Sequence, residues 1–306
     1  MNFTAKDVMA LREKTGCGMM DCKKALTEAD GNQDKAIELL REKGLVAAAK
    51  KASRIAAEGL VDIVIEGKTA AIIEVNSETD FVAKNAEFRD LVNGAAKAVV
   101  KYAPKDVEEL KECKFNDGEF TVAEVLREKI LKIGENMNIR RFERLEGNCV
   151  SYIHGGGSAG AIVLFDIDDS FASNEKFLEM GKNVCMQIVA MTPSYLDESE
   201  VDSATIEKEK EILIAQIKND PKTANKPDQV IEKMVTGKIS KFYSENCLIN
   251  QAYVKDNKIS VGKYIEDCAK EMGTDIKLKK FVMYEKGEGL QKREDNFADE
   301  VASMTK

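Results

Sequence analysis

The chain has 306 residues, 43% of them hydrophobic and 33% charged, a globular composition long enough for two or three domains. The net charge of −8 argues against a general nucleic-acid binder, and we find no charge-free run of membrane-spanning length and no signal-peptide core. Seven cysteines without a C-x-x-C pair and a single histidine make no zinc pattern, so we expect a cytoplasmic protein with free thiols and no cofactor.

Residues 1–55 predict a compact module of three short helices. Thr4 precedes a first helix with Val8 and Leu11 on its inner face, and glycine-containing breaks separate two further helices. The module holds 11 Lys/Arg against 8 Asp/Glu, so it is basic within an acidic chain. Three helices around one apolar patch resemble a ubiquitin-associated module. The alanine-rich segment 46–57 then predicts a linker that is either helical or flexible.

Met19 and Met20 stand beside Lys23 in the second predicted helix. One of the two methionines would be expected in the core of the module. An exposed methionine next to lysines would instead suit an adaptable contact with an acidic partner. The sequence leaves both interpretations open.

The central part of the chain repeats itself. Residues 61–67 alternate in polarity and end at a glycine turn, and the apolar run 70–75 follows, which together predict a β-hairpin. The pattern returns 89 residues later over 150–156 and 160–165. A helical pattern follows the hairpin in both copies, so the repeat indicates two related lobes.

A later part of each lobe recurs at a different offset. Residues 121–142 match 260–281, which lie 139 residues further on, so about fifty residues are inserted into the second copy. Residues 196–245 fit this insertion and predict an antiparallel helical hairpin that turns at 220–227. Its two apolar seams are Ile206, Leu213 and Ile217, and then Val230, Met234 and Phe242. It either packs on its own lobe as a lid or projects from it.

The predicted fold class is α+β, with antiparallel sheets that carry helices on one face. The predicted parts are a three-helix module (1–55), a first lobe (56–147), a second lobe (148–289) containing the helical hairpin (196–245), and a C-terminal helical segment (290–306). In that last segment Phe297, Val301 and Met304 follow i, i+4, i+7 spacing, which predicts an amphipathic helix that docks on its own lobes or on a partner.

The corner between the second strand and the next helix holds an unusual residue. Thr79 and Asp80 are good helix N-caps, and they place Phe81 and Val82 in the first turn. An aromatic ring at a polar corner is either a core residue that staples the helix start or a residue kept for function. The matching corner of the second copy, 168–171, orders its polar and aromatic residues differently, so both interpretations stay open.

We find no catalytic constellation in the sequence. The G-x-x-x-x-G-K-[ST] phosphate-binding pattern is absent. Residues 155–160, G-G-G-S-A-G, have the spacing of both G-x-G-x-x-G and G-x-S-x-G, but they lie at a predicted hairpin turn and not at a strand-to-helix corner, so neither pattern has the context that its chemistry needs. A Ser/His or Cys/His nucleophile would have to use His154, which suits a turn or a surface contact better than a base. The glycines at 155–157 suit a hairpin turn. We therefore expect a protein without an active site of its own.

Four motifs resemble the elongation factor Ts family. They are T-G-C-G-M-M-D-C-K-K-A-L at 15–26, T-D-F-V-A-K-N at 79–85, K-I-G-E-N-M-N-I-R-R at 132–141, and H-G at 154–155. They occur in order along the chain, and the first two are highly specific. The resemblance implies a guanine-nucleotide exchange factor for elongation factor Tu, a translational GTPase.

The resemblance also implies which residues contact the GTPase, in its GDP-bound and nucleotide-free states. Asp80 and Phe81, flanked by Thr79 and Val82, would press into the GTPase domain near its magnesium site. The other implied contacts are Met19, Met20, Lys23, Ile133, Gly134 and His154. The first module and the tail helix would grip the same domain. The helical hairpin would reach the partner or a second copy of the chain, and no membrane or nucleic acid is involved.

Overall fold

The computed structural model describes residues 3–15, 17–223 and 226–291. Helices alternate with small antiparallel sheets along these residues, which confirms the α+β class. They divide into two compact units by contact. The first holds the described residues up to Arg144, Ile153–Gly160 and those from Tyr284 on, and the second holds Leu145–Tyr152 and Ala161–Met283. The domain ranges drawn from the sequence stay predictions.

The first unit begins with three helices around a core of their own. They are α1 (Ala5–Thr15), α2 (Met19–Glu28) and α3 (Gln33–Lys51). Val8 and Leu11 are buried as predicted, and the Asn32 side chain caps α3 by accepting from Lys35 N at 3.0 Å. Helix α3 continues into the alanine-rich segment as far as Lys51, so the helical alternative is confirmed there. The likeness to a ubiquitin-associated module stays a prediction.

A three-stranded sheet and four helices follow in the first unit. In chain order they are β1 (Glu58–Glu66), β2 (Thr69–Ser77), α4 (Asp80–Ala83), α5 (Ala86–Tyr102), α6 (Val107–Glu112), α7 (Val122–Ile133) and β3 (Met137–Glu146). The predicted hairpin is confirmed: β1 and β2 are antiparallel, with Ile63 opposite Ile72. The sheet order is β1-β2-β3, and α5 packs on β1 and β2. The central strand β2 is therefore buried along nearly its whole length.

The second unit also begins with two strands and a helix. The elements that lie wholly or mostly in it are, in chain order, β4 (Asn148–His154), β5 (Ala159–Asp166), α8 (Glu175–Met191), α9 (Ser203–Asn219), α10 (Asp228–Asn246), β6 (Ala252–Tyr253), β7 (Asp256–Ser260), α11 (Val261–Met272) and β8 (Lys277–Glu285). Helix α8 begins and ends 89 residues after α5, and α11 begins and ends 139 residues after α7. Both offsets found in the sequence therefore recur in the structure.

The insertion folds into two helices that pack on each other, α9 and α10. Their shared core contains Leu213, Ile217, Ile231, Val235 and Ile239, with Met234 and Tyr243 at its edge. Of the predicted seam on α10, Met234 packs against this core, but the prediction for Val230 is wrong, because Val230 is 39% exposed while Ile231 is buried. Spacing of four residues from Ile231 brings Val235 and Ile239 onto the same face.

The predicted C-terminal helix, with Phe297, Val301 and Met304, lies outside the described residues. Within the part of the chain that is described, we find no helix that is long and apolar enough to cross a membrane.

Candidate functional site

The corner after β2 is a single helical turn between two fixed ends. Its N-cap residue, Thr79, is extended, with φ −127° and ψ 156°, and α4 contains only four residues. The turn closes when Asn85 N donates to the Val82 carbonyl at 2.9 Å. Helix α5 starts immediately afterwards, because the Asn85 side chain accepts from Glu87 N at 2.8 Å.

Phe81 points away from the core. Its side chain is 78% exposed, which makes it the most exposed large apolar residue in the described part of the chain. The interpretation of Phe81 as a core staple is therefore wrong. Val82, the next residue, is only 6% exposed and packs in the core of the lobe. Because Val82 is buried, we expect it to anchor the turn to the core and not to contact a partner in this conformation.

The predicted capping of the corner by its own side chains is wrong. The Thr79 side chain makes no cap bond, because its hydroxyl donates to Glu135 Oε1 at 2.7 Å. Thr79 N donates to the other oxygen, Glu135 Oε2, at 3.0 Å. The Asp80 carboxylate accepts from Lys84 Nζ at 2.6 Å, and this bond lowers the pKa of Asp80 below its usual value. Asp80 is therefore ionised at neutral pH.

The Ile133-Gly134 motif lies beside this corner, although more than fifty residues separate them in sequence. Helix α7 ends at Ile133, and Gly134 continues with φ +89°, a left-handed conformation that favours glycine. Lys51 at the end of α3 donates to the Gly134 carbonyl. One residue beyond Glu135, Asn136 N donates to Glu78 Oε1 at 2.6 Å. The structure thus joins two of the motifs by hydrogen bonds.

His154 begins the turn between β4 and β5, and its side chain is exposed. Its carbonyl accepts from Gly157 N at 3.0 Å, and Gly155, Gly156 and Gly157 all have positive φ, so the turn favours three glycines. Arg89 links this turn to the corner, because Nη2 donates to the Gly156 carbonyl at 3.3 Å and Nε donates to the Ala83 carbonyl at 3.2 Å.

Met19 and Met20 are both on the surface of the first module. Met19 is 47% exposed and Met20 is 62% exposed, so the expectation that one of them lies in the core is wrong. Lys23, one turn further along α2, is also exposed. The opposite face of α2 holds the buried residues Cys22 and Leu26. This face therefore offers two flexible apolar side chains beside a cation.

Sequence reasoning missed the residues that hold the corner in place. Glu78, Glu135 and Asn136 lie inside or next to the quoted motifs, but only the folded chain brings their hydrogen-bonding atoms together. The signal available in the sequence was a glutamate directly after a helix-ending glycine. A pattern of this kind does not identify the bonding partner.

A second missed feature is a buried carboxylate on β2. Glu74 is fully buried and accepts from Arg140 Nη1 at 3.0 Å, Arg141 Nε at 2.6 Å and Gly287 N at 2.7 Å. Burial alone would raise the pKa of Glu74, but these donors and Asn76 together lower it below its usual value. The cluster connects β2, β3 and the turn after β8.

The described residues contain no group of three or more His, Cys, Asp or Glu side chains that could hold a metal ion. What the site does offer is an exposed ring beside an ionised carboxylate, on a turn held by hydrogen bonds to Glu135 and Arg89. This arrangement suits insertion into another protein.

Comparison with known proteins gives a consistent result. A family model described as "Elongation factor TS" matches residues 78–288. The chain is 50% identical over 305 residues to elongation factor Ts of Clostridium kluyveri, which covers 98% of this chain and 97% of that protein. It is 48% identical over 309 residues to elongation factor Ts of Syntrophotalea carbinolica, with 100% of both chains covered. It is 50% identical over 307 residues to elongation factor Ts of Clostridium perfringens, with 99% of each covered.

Proposed function

The chain belongs to the elongation factor Ts family of translation elongation factors, and from this we propose that it is a guanine-nucleotide exchange factor for elongation factor Tu. It binds the GTPase in the cytoplasm, in both the GDP-bound and nucleotide-free states, and promotes GDP release without an active site of its own. The observation that carries the proposal is the Phe81 ring, 78% exposed at the tip of a held turn.

The apolar surface of the Phe81 ring is still exposed to water after folding, so its burial against a partner can contribute to binding. Full burial of a phenylalanine side chain contributes roughly 1.5–3 kcal/mol. Weakening GDP binding a thousandfold needs roughly 4 kcal/mol of differential contact, since each tenfold step needs about 1.4 kcal/mol. Phe81 alone therefore falls short, and further contacts must hold the corner against the GTPase.

The target of the corner is the magnesium site of the GTPase. Mg²⁺ requires near-ideal octahedral geometry, so a small displacement of the surrounding side chains weakens its binding. Phe81 enters only where the GTPase helices move apart, and the ionised Asp80 beside it brings a negative charge to the same place. Loss of Mg²⁺ removes the charge that holds the GDP phosphates.

The remaining contacts supply affinity. Met19, Met20 and Lys23 bind through the exposed face of α2, and the loop at Ile133 and Gly134 and the turn at His154 flank the corner. The first module and the C-terminal segment together grip the GTPase domain. The core consists of two duplicated lobes, and α9 and α10 reach either the GTPase or a second copy of the chain.

Exchange of this kind is reciprocal. If the chain weakens GDP binding by a given factor, GDP weakens binding of the chain by the same factor. Rebinding of nucleotide then releases the factor, so one copy can act on many GTPase molecules.

The test is release of labelled GDP from elongation factor Tu, with and without the chain, for the wild type and Phe81→Ala. We expect the substitution to reduce the stimulated release at least tenfold, with a smaller loss of affinity, because the other contacts remain. Phe120→Ala is a matched control, since Phe120 is a partly exposed ring of the first unit that lies against Arg41.

Two outcomes would contradict the proposal. Unchanged release by the Phe81→Ala variant would reject the ring as the acting group. If the wild-type chain binds the GTPase without accelerating GDP release at all, the chain is a passive adaptor.

A further inference from the structure

The proposed function depends on the direction in which Phe81 points, and the structure indicates what sets this direction. We infer that Glu135, in the loop between α7 and β3, is a positioning residue for Phe81. It acts through Thr79 and makes none of the contacts proposed with the GTPase. This inference rests on the proposed function and adds a residue to it.

Helix α4 cannot hold its own start. It has four residues, and its N-cap residue makes no side-chain cap bond, so its first N–H groups lack the usual local acceptor. A single turn is also too short to be stable by itself. Its start must therefore be held by another segment of the chain.

Glu135 does this with both carboxylate oxygens. Oε2 accepts from Thr79 N at 3.0 Å and Oε1 accepts from Thr79 Oγ1 at 2.7 Å. Two bonds to one residue fix both its position and its rotation about the chain axis. Hydrogen bonds to a charged acceptor are also stronger than neutral ones.

A second pair of groups makes the connection reciprocal. Glu78 Oε1 accepts from Asn136 N at 2.6 Å, so each segment supplies a carboxylate to a backbone N–H of the other. We call Glu78, Thr79, Glu135 and Asn136 the corner clasp. It joins the residues just before α4 to the loop after α7, two positions before the ring of Phe81.

The second copy of the repeat lacks such a clasp. There Asp168, at the position of Thr79, caps its own turn by accepting from Ser170 N at 2.8 Å. Thr274 occupies the position of Glu135, and an exposed serine, Ser170, occupies the position of Phe81. The corner without an exposed ring is thus held by a local cap and by Asn148 of β4, which donates to Asp169 Oδ1 at 3.1 Å, whereas the N-cap of the corner with the ring is bonded to Glu135.

The test compares Glu135→Ala and Glu135→Gln with the wild type. Binding affinity for elongation factor Tu and the rate of GDP release at saturating chain are measured separately. We expect Glu135→Ala to lower the saturated rate about tenfold, as the loss of two hydrogen bonds allows, with affinity changed less than about threefold. Glu135→Gln keeps one acceptor and should retain an intermediate rate.

Glu87→Ala is the matched control. Glu87 is also a glutamate bonded to α7, through Lys129 at 3.2 Å and Lys132 at 2.7 Å, but it makes no bond to the corner clasp. We expect its saturated release rate to equal that of the wild type. Should Glu135→Ala melt at a much lower temperature, Thr79→Val serves instead, since it removes the hydroxyl donor alone and Thr79→Ser restores it.

A double-mutant cycle separates positioning from general support. If Glu135 acts through Phe81, Glu135→Ala adds no further loss in the Phe81→Ala background. The inference is overturned if Glu135→Ala lowers release by the same factor in both backgrounds, or does not lower it in the wild type. These outcomes are distinct from a failure of the proposed function. The proposed role of Phe81 fails if the Phe81→Ala variant releases GDP at the wild-type rate.

Discussion

Replacing Glu74 by glutamine measures how much the buried carboxylate contributes to the stability of the first unit. Glutamine keeps the shape and can still accept at the position of Oε1 from Asn76, Arg140 and Gly287. Its amide, however, turns an N–H group toward Arg141 Nε, where the carboxylate oxygen lies at 2.6 Å. Arg140 and Arg141 then lose their buried counter-charge. We expect the free energy of unfolding to fall by about 3–4 kcal/mol at neutral pH.

The loss should depend on pH with a defined sign. The folded-state pKa of Glu74 lies below its usual value of 4.5, so its ionised form stabilises the fold above about that pH. As the pH falls further, through the lowered folded-state pKa, this contribution disappears. The wild type and Glu74→Gln should therefore converge in stability in acid.

Urea unfolding followed by circular dichroism, at pH values from 7 down to about 2, provides the measurement. Glu66→Gln is the control, because it removes the same charge from an exposed position at the end of β1. A difference below about 1 kcal/mol at pH 7, or a difference that stays constant as the pH falls, would refute the reasoning.

Two further predictions concern the exposed face of α2 and the packing of α9 against α10. The double substitution Met19→Ala and Met20→Ala should weaken binding to elongation factor Tu about tenfold in a titration, since such contacts carry one or two kcal/mol. The melting temperature should not change, because both side chains are exposed. In the inserted helices, Ile231→Ala should lower the free energy of unfolding by about 2–4 kcal/mol and Val230→Ala by less than about 0.5 kcal/mol. If the two substitutions lowered the free energy of unfolding equally, Val230 would be as buried as Ile231, which would contradict the structure.

Helix caps, which depend only on neighbouring residues, were sufficient to predict where the repeated helices begin. Asn85 and Asn174 lie 89 residues apart, and each caps the helix that follows it. Thr121 and Ser260 do the same 139 residues apart. Capping depends on a side chain and backbone groups only two or three residues away, so sequence spacing predicts it. The bounds of α5 and α8, and of α7 and α11, agree with both offsets for this reason.

Signals that depend on another segment were less reliable. On α10 the apolar residues occupy adjacent positions, so periodicity alone did not decide whether Val230 or Ile231 faces α9. The same holds for Thr79, which has the sequence of an N-cap but donates its hydroxyl to Glu135. In both cases a group distant in the chain competes with the local pattern, and its position is set only by folding.

The sequence by itself determined the α+β class, the two offsets at which helices recur, the pair of helices α9 and α10, and the family. These depend on periodicity, on local capping and on motifs that can be read along the chain. Only the tertiary structure decided that Phe81 is exposed and Val82 buried, because burial is a property of what packs against a residue. It also decided that Glu135 holds the turn, since a hydrogen bond across 56 positions is made by the fold.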